Sequence, residues 1–457
     1  MRKQGVKRKK LQKKPLRVLL INPCIYDFAA YSFWSSPLGL LSLGGILRQN
    51  GMEVNLIDCM RVVEAKRKAD GRAPFVKENV ANPPALKHIR KRFKRYGISR
   101  DKLMEELSKI ERPDLILITS IMTYWYPGVE EALGAARDVF PSSKIIVGGI
   151  YPSLCPEHAE STLQEADLIV MNSQIERFYG FVEKTFKKIL TYKPSLYDLD
   201  NIPYPCYDLY ENIPFIPLLT SFGCMYRCTY CATPYMHPSI IRRRPERVID
   251  EIKHWQGMGV SRYVLYDDNF LYRSDLYARP LLKQITNLPF PIDIYNPNAL
   301  NGAFIDDELT LLLRGAGFRE VRIGLESASP SVQKSTGGKV SLKRFEKSVA
   351  ALLSGGFKKG EIVAYILAGL PNQRWEEVKH SIDYVLSLGI QPYIAEYTPI
   401  PHTRLFEEYE HCARFPISEN PVYQNNALFP FAWKGFTEKD LEYLKLYARS
   451  KKEPPKQ

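Results

Sequence analysis

The chain is poor in the features that would make it a membrane, secreted or disulfide-built protein. No run of about 18 uncharged apolar residues occurs, so no membrane-spanning helix is expected. The N-terminus has no apolar stretch of the kind that marks a secretory leader. Eight cysteines in 457 residues do not suggest a disulfide scaffold, and a reducing cytoplasm suits them. Cys24, Cys59, Cys155, Cys206 and Cys412 are scattered and are expected to be buried or free thiols. Acid is missing from residues 1–16, which carry eight of the Lys and Arg behind the net charge of +14. No aromatic residue is interleaved there, so a solvated, disordered tail is expected rather than a nucleic-acid site.

What is present is a long α/β pattern with 45% apolar residues, enough for two or three domains. Short apolar strands at 17–22, 53–58, 115–120, 144–149 and 166–171 alternate with helical runs at 37–51 and 128–139. Such alternation predicts a doubly wound, Rossmann-like parallel sheet over residues 17–189, with ligands at the carboxyl ends of its strands. Residues 61–112 are charged and are expected to be helical, without an apolar core of their own. Residues 190–216 include Pro194, Pro203, Pro205 and Pro214 and read as an extended linker. From 217 to 403 six strand–helix units follow, with strands at 218–222, 262–266, 292–296, 320–325, 361–368 and 391–397. Six units predict an open (β/α)6 barrel whose chemistry lies on the loops after its strands. Residues 404–457 read as a mostly helical extension over the barrel mouth.

The loop after the first barrel strand holds Cys224, Cys228 and Cys231, spaced C-x3-C-x2-C. Three thiolates on one tight loop can hold three irons of a cubane cluster and leave the fourth iron open. Gly223 lets the backbone turn into the loop. A structural zinc knot with Cys206 or His237 as fourth ligand is the alternative. Zinc sites usually show paired C-x2-C units, and no second pair exists here.

The cysteine loop resembles that of the radical S-adenosylmethionine (radical SAM) superfamily. That resemblance implies a [4Fe–4S] cluster on the three cysteines, SAM chelating the open iron, and reductive cleavage to a 5′-deoxyadenosyl radical. It also implies an external electron donor such as flavodoxin or ferredoxin, and a small-molecule or peptide substrate. Tyr230 takes the aromatic position near the adenine. Asp267 and Asp268, in the run Tyr266-Asp-Asp-Asn-Phe270, resemble a segment near the methionyl ammonium. Glu326 and Ser327 match a G-x-E-S-x-S run near the ribose or the methionyl carboxylate. Ile366 and Gly369 suit the adenine surface. Arg242 and Arg244 resemble basic residues that hold an anion or cap a helix. His402 replaces the glycine of a P-x-P-G-T run and is not counted as catalytic.

The N-terminal half resembles the cobalamin-binding-type domain that precedes many radical SAM barrels. Gly39, Ser120, Gly148 and Gly149 carry that resemblance and are the expected corrinoid contacts. If Gly39 takes the glycine of D-x-H-x-x-G, Ser36 and Trp34 stand where the cobalt-ligating histidine and its aspartate would be. No histidine precedes His88, so cobalt is expected to lack one from this loop. The resemblance covers residues 17–400 and implies a cobalamin-dependent radical methyltransferase. A cobalamin-free radical enzyme and a non-catalytic iron–sulfur or zinc protein remain as alternatives. A methylthiotransferase acting on RNA is disfavoured, since Cys24, Cys59 and Cys155 sit in no matching motif.

Overall fold

The computed structural model describes residues 14–172 and 174–450. Most of the basic tail, residues 1–13, lies outside the described residues, as do residues 451–457. Five strands form the N-terminal sheet: β1 (Arg17–Asn22), β2 (Glu53–Asp58), β3 (Leu115–Ile118), β4 (Lys144–Gly148) and β5 (Leu168–Val170). All pairs are parallel, in the order β2-β1-β3-β4-β5. Helix α1 (Leu38–Gln49), α2 (Arg100–Lys109), α3 (Tyr126–Val139) and α4 (Ile175–Phe186) flank it. All four residues of β3 are buried, as both faces of a helix-covered parallel sheet demand.

The second half is a curved parallel wall. Its strands are β6 (Ile216–Leu218), β7 (Arg262–Leu265), β8 (Asp293–Tyr295), β9 (Leu300–Asn301), β10 (Val321–Glu326), β11 (Ile362–Ala368) and β12 (Gln391–Glu396). They pair as β8-β7-β6 and β9-β10-β11-β12, and a bridge from Ile294 to Phe318 spans the break. The outer helices are α5 (Pro245–Gln256), α6 (Ala278–Thr286), α7 (Asp307–Gly315), α8 (Leu342–Ser354) and α9 (Trp375–Ser387). Each buries a 3.6-period stripe, such as Val248, Ile252 and Trp255 on α5 or Val378, Ile382 and Val385 on α9. No pairing joins β6 to β12, so the barrel is open there. The α/β class and the doubly wound sheet followed by an open barrel are as the alternation predicts.

Three stretches differ from the sequence reading. Residues 61–112 are not mainly helical. Lys77–Asn79 and Lys94–Tyr96 pair antiparallel with Ile25–Asp27, and only α2 is a regular helix. They also own apolar contacts, with Leu86 and Phe93 packing on Phe28 and on Val422 and Leu428 of the tail. Strands of three residues paired across the chain leave no local period to read. Residues 190–216 are not a free linker, because Cys206 and Tyr207 are buried in the core that joins α1 to the barrel. The first barrel strand ends at Leu218. Ser221–Phe222 then turn away to pair with Ile241–Arg242.

The C-terminal extension is helical only at Arg404–Tyr409 and in α10 (Glu438–Ser450), with short 3-10 turns between. It ties the two halves together. Asn425 donates to Asp27 at 2.9 Å, Tyr423 to the Ala85 carbonyl at 2.8 Å, and Phe429 packs over Gly369. Among the described residues no helix is long and apolar enough to cross a membrane.

Trp34 is a fully buried contact of the N-terminal half with the barrel. It sits among Val264, Tyr266 and Tyr295. Its ring stacks on Tyr295 at 5.0 Å, and the Arg72 guanidinium lies 4.1 Å above it. Its indole N–H donates to the Asp70 carbonyl at 2.9 Å. Phe33 and Trp34 both carry positive φ, 23° and 57°, so the loop accepts local strain to seat the ring. Trp34→Ala is expected to cost about 3–5 kcal/mol. It should also open the 28–37 loop to protease. Urea denaturation and limited proteolysis check both effects, and a wild-type cleavage pattern would refute the seating role.

Candidate functional site

The three cysteines sit where β6 delivers them, on the loop that leaves the carboxyl end of the wall. All three are half-buried, unlike Cys24, Cys59, Cys155 and Cys206, which are buried. The loop is held from three sides. Gly223 has φ 86°, and a Cβ there would lie 2.2 Å from the Ser239 carbonyl oxygen. Its N–H donates to Asp268 at 2.7 Å. Gly337 lies against Cys228, and Thr229 donates its N–H to the Thr336 carbonyl. Leu405 of the tail donates to the Thr229 carbonyl at 2.8 Å.

Asp267 and Asp268 turn out to hold this loop. Asp267 is 3% exposed and accepts from the Thr220 N–H and hydroxyl and from the Ser221 hydroxyl, at 2.8, 2.6 and 2.5 Å. It is therefore corrected from a SAM contact to a buried pin between β6 and β7. Burial pushes its carboxyl up to about 7, against the hydrogen bonds it accepts. Asp268 accepts from Gly223 and, at 3.4 Å, from the Thr233 hydroxyl, so its first role is to shape the loop. Asn269, which sequence reasoning passed over, donates to the Cys224 sulfur at 3.4 Å.

Opposite the sulfurs stand Glu326 and Lys339. Glu326 ends β10 with φ 67°, beside a bulge in the β10–β11 pairing. A non-glycine residue in the left-handed region costs about 1–3 kcal/mol, and such strain clusters at functional sites. Its carboxylate lies 3.6 Å from the Lys339 ammonium. Burial alone would lower the Lys339 pKa, but Glu326 and the nearby Cys228, Cys224 and Cys231 sulfurs raise it. Lys339 was missed because a lysine after Gly337-Gly338 has no local signature. Burial pushes the Cys228 thiol up to about 11, so ligation must displace its proton. Tyr230 is on the same side: burial and then Glu326 push its phenol well above the usual value. Its ring packs with Leu367, Tyr397 and Phe431.

The other expected contacts divide. The Ser327 hydroxyl is buried, faces Ser381 of α9 and accepts from the Ser329 N–H at 3.1 Å. It closes the turn after β10. Ile366 is fully buried within the core and pairs with Glu326 in register. Gly369 has φ 88°, and the space a Cβ would need is filled by Phe429 at 2.4 Å. Its freedom serves the tail rather than an adenine. Arg242 lies over Tyr272 and Tyr277, and Arg244 pairs with Asp200 at 2.9 Å, so neither faces the mouth. His402 stacks on Tyr235 at 4.1 Å. Of the alternative zinc ligands, Cys206 is buried under α1 against Gly44, away from the cysteine loop, and the His237 ring packs on Phe222 at 4.6 Å.

In the N-terminal domain, Gly39, Thr119, Gly148, Gly149 and Met171 line one apolar cavity of about 160 Å³. Ser36 and Ser120 line a smaller recess beside it. Space beside Gly39 is open. Gly149, at φ 108°, instead lets Ser120 approach, since a Cβ would meet the Ser120 carbonyl oxygen at 2.3 Å. The Ser120 hydroxyl donates to the Gly148 carbonyl at 3.0 Å and accepts from Tyr151. Ser120 and Gly149 therefore brace each other, and Gly39 and Gly148 are left to face a ligand.

Residues 218–385 match the radical SAM superfamily. They are a radical SAM domain. Relatives extend beyond it. An uncharacterised methyltransferase of Pyrococcus horikoshii is 23% identical over 75% of this chain and 77% of its own. The cytidylyl-2-hydroxyethylphosphonate methyltransferase of Streptomyces wedmorensis is 23% identical over 82% of this chain and 77% of its own. The radical SAM methyltransferase TsrM of Kitasatospora setae, solved with cobalamin and a [4Fe–4S] cluster, matches with a TM-score of 0.66 at 16% identity. That match covers 96% of this chain and 92% of TsrM. The cobalamin-dependent enzyme OxsB matches with a TM-score of 0.57 at 15% identity, over 96% and 61%. The radical SAM domain thus sits in a two-domain fold shared along nearly its whole length.

The fold favours the protonated form of Asp267, because its pKa in the fold lies above the ordinary 3.8. Its contribution to stability is full below about pH 4 and is lost as the pH rises through about 7. Asp267→Asn should therefore flatten the fall of the urea midpoint between those values relative to wild type. Equal slopes in the two proteins would show that the carboxyl is not raised.

Proposed function

We propose that the chain is a radical SAM enzyme that cleaves SAM reductively at a [4Fe–4S] cluster, and a cobalamin-dependent methyltransferase. The observation that carries the first part is the single loop of three half-buried cysteines facing the Lys339–Glu326 pair. Among the described residues no three donors already converge on one metal position, but the donor chemistry fits the group: three thiols on one loop, a neighbouring amide donor in Asn269, and a half-buried cation in Lys339 to balance thiolate charge. When bound, cluster and SAM supply a carbon-centred radical and a corrinoid supplies a methyl group.

This chain's residues supply position and shielding. Cys224, Cys228 and Cys231 hold the irons. Lys339 faces the negative charge of a methionyl carboxylate, and Glu326 accepts hydrogen bonds from ammonium or ribose hydroxyls. Tyr230 offers a ring to the adenine. The apolar cluster of Leu370, Tyr397, Phe406 and Phe431 keeps water from that side. The Gly39–Gly148 cavity suits one benzene-sized ring of a cofactor, and the bulk of a corrinoid would lie outside it. Trp34 is buried against the barrel and Ser36 is a weak ligand, so the loop provides cobalt with no imidazole. An external flavodoxin- or ferredoxin-type donor and a cytoplasmic setting complete the reading. A cobalamin-free radical enzyme remains the second reading, because the Ser120 hydroxyl is already bonded to the Gly148 carbonyl and Ser120 fills the space beside Gly149.

Replacing Cys224, Cys228 and Cys231 by alanine should remove the cluster absorbance and all SAM cleavage while leaving the fold intact. Wild-type iron content in the triple variant would sink the assignment. Reconstitution with hydroxocobalamin should give a base-off spectrum with no imidazole on cobalt. A histidine-ligated spectrum would contradict the ligation, and no corrinoid uptake would favour the second reading.

A further inference from the structure

We infer that the substrate is a phosphorylated small molecule with a flat ring, held in the groove between the N-terminal domain and the free edge of β12. The inference rests on the radical SAM reading of the barrel, and the groove itself is independent of it. The groove encloses about 660 Å³, within the range of small-molecule sites. Its walls carry Lys66, Lys68, Arg72, Lys77, Lys445 and Arg449 against one acid, Glu396. Glu396 is already neutralised by Lys445 at 2.6 Å, and Arg72 by Asp70 at 2.6 Å. Among the described residues, Lys66, Lys68, Lys77 and Arg449 have no carboxylate within ion-pair distance.

Four unpaired cations brought together from two separate segments give the groove a positive potential that favours an anionic ligand. Residues 66–77 belong to the N-terminal half and Arg449 to α10, so no single solvated helix face explains the cluster. Compact ammonium groups suit the several oxygens of a phosphoryl group. Tyr31 and Tyr393, 73% and 37% exposed, line the same groove and offer faces for a ring. The position is right for chemistry at the mouth. Glu396, at the carboxyl end of β12, is in register with Ala368 of β11, and two residues back Ile366 pairs with Glu326 beside the cysteine loop. A molecule anchored by its phosphates along β12 would point its other end at the barrel mouth through the unpaired edge.

The test uses the full chain, anaerobically reconstituted, with inorganic pyrophosphate and UDP as probes in calorimetry. UDP carries no adenine and so does not compete for SAM. Both probes should bind wild type. The double variant Lys68→Glu/Lys77→Glu and, separately, Arg449→Glu should weaken them by at least about tenfold. Lys253→Glu on α5, outside the groove, should leave binding unchanged. Bound iron per chain should match wild type in every variant, which reports that each one folds. No binding to wild type, or equal binding by all variants, would overturn the proposal. So would a single-stranded oligonucleotide that binds more tightly than UDP with the same loss in the variants, since that would assign the groove to nucleic acid. Charge-dependent pyrophosphate binding by a protein that fails to cleave SAM would uphold the groove and overturn the radical reading instead.

Discussion

The cysteine loop depends on two adjacent carboxylates that pull on different parts of the chain. Asp267 closes on Thr220 and Ser221 and welds the end of β6 to the end of β7. Asp268 takes the Gly223 amide and starts the loop in the direction the sulfurs need. A loop of eight residues with three thiols has no apolar core to hold its shape. Its geometry must come from hydrogen bonds to the rigid strand beside it. The next residue, Asn269, then reaches a sulfur. One strand end therefore sets the direction, the anchorage and part of the electrostatics of the site.

The barrel that carries this loop is incomplete, and the rest of the chain closes it. Trp34 fills one side from the N-terminal domain, and Phe429 fills another from the tail. One apolar cluster runs without interruption from Val18 and Leu47 through Cys206 to Leu325 and Val385. The two halves share a core, so their relative placement is set by packing rather than by a hinge. That rigidity is what a reaction between two separately bound cofactors requires, because small displacements of reacting groups are costly in rate.

Much of this was legible from residue order. β1, β2, β7 and β11 fall within a residue of the spans read from the apolar pattern, because each carries that pattern within one segment. The cysteine loop was legible because ligand spacing is a local property. What escaped reading was set by distant partners. Nothing near Lys339 announces that Glu326 and three sulfurs surround it. Asp267 and Ser327 occupy motif positions, yet their oxygens face inward to Thr220 and Ser381. Gly369 and Gly149 were read as room for a ligand, and Phe429 and Ser120 already occupy that room. The strands at 77–79 and 94–96 exist only because residues 25–27 offer an edge.

The reach of the tail bears on how the protein is made. Asp27 is buried near the start of the chain, and one of its partners, Asn425, lies nearly 400 positions later. Val422 and Leu428 likewise complete the cluster around Phe28 and Phe93. On the ribosome the N-terminal sheet can assemble early, since its strands and helices are all upstream. Its outer corner cannot be finished until residues 422–428 have emerged. For that interval Phe28 and Phe93 lack part of their cover and the Asp27 carboxylate lacks one of its donors. A segment synthesised some 398 residues after Asp27 is thus what seals this corner.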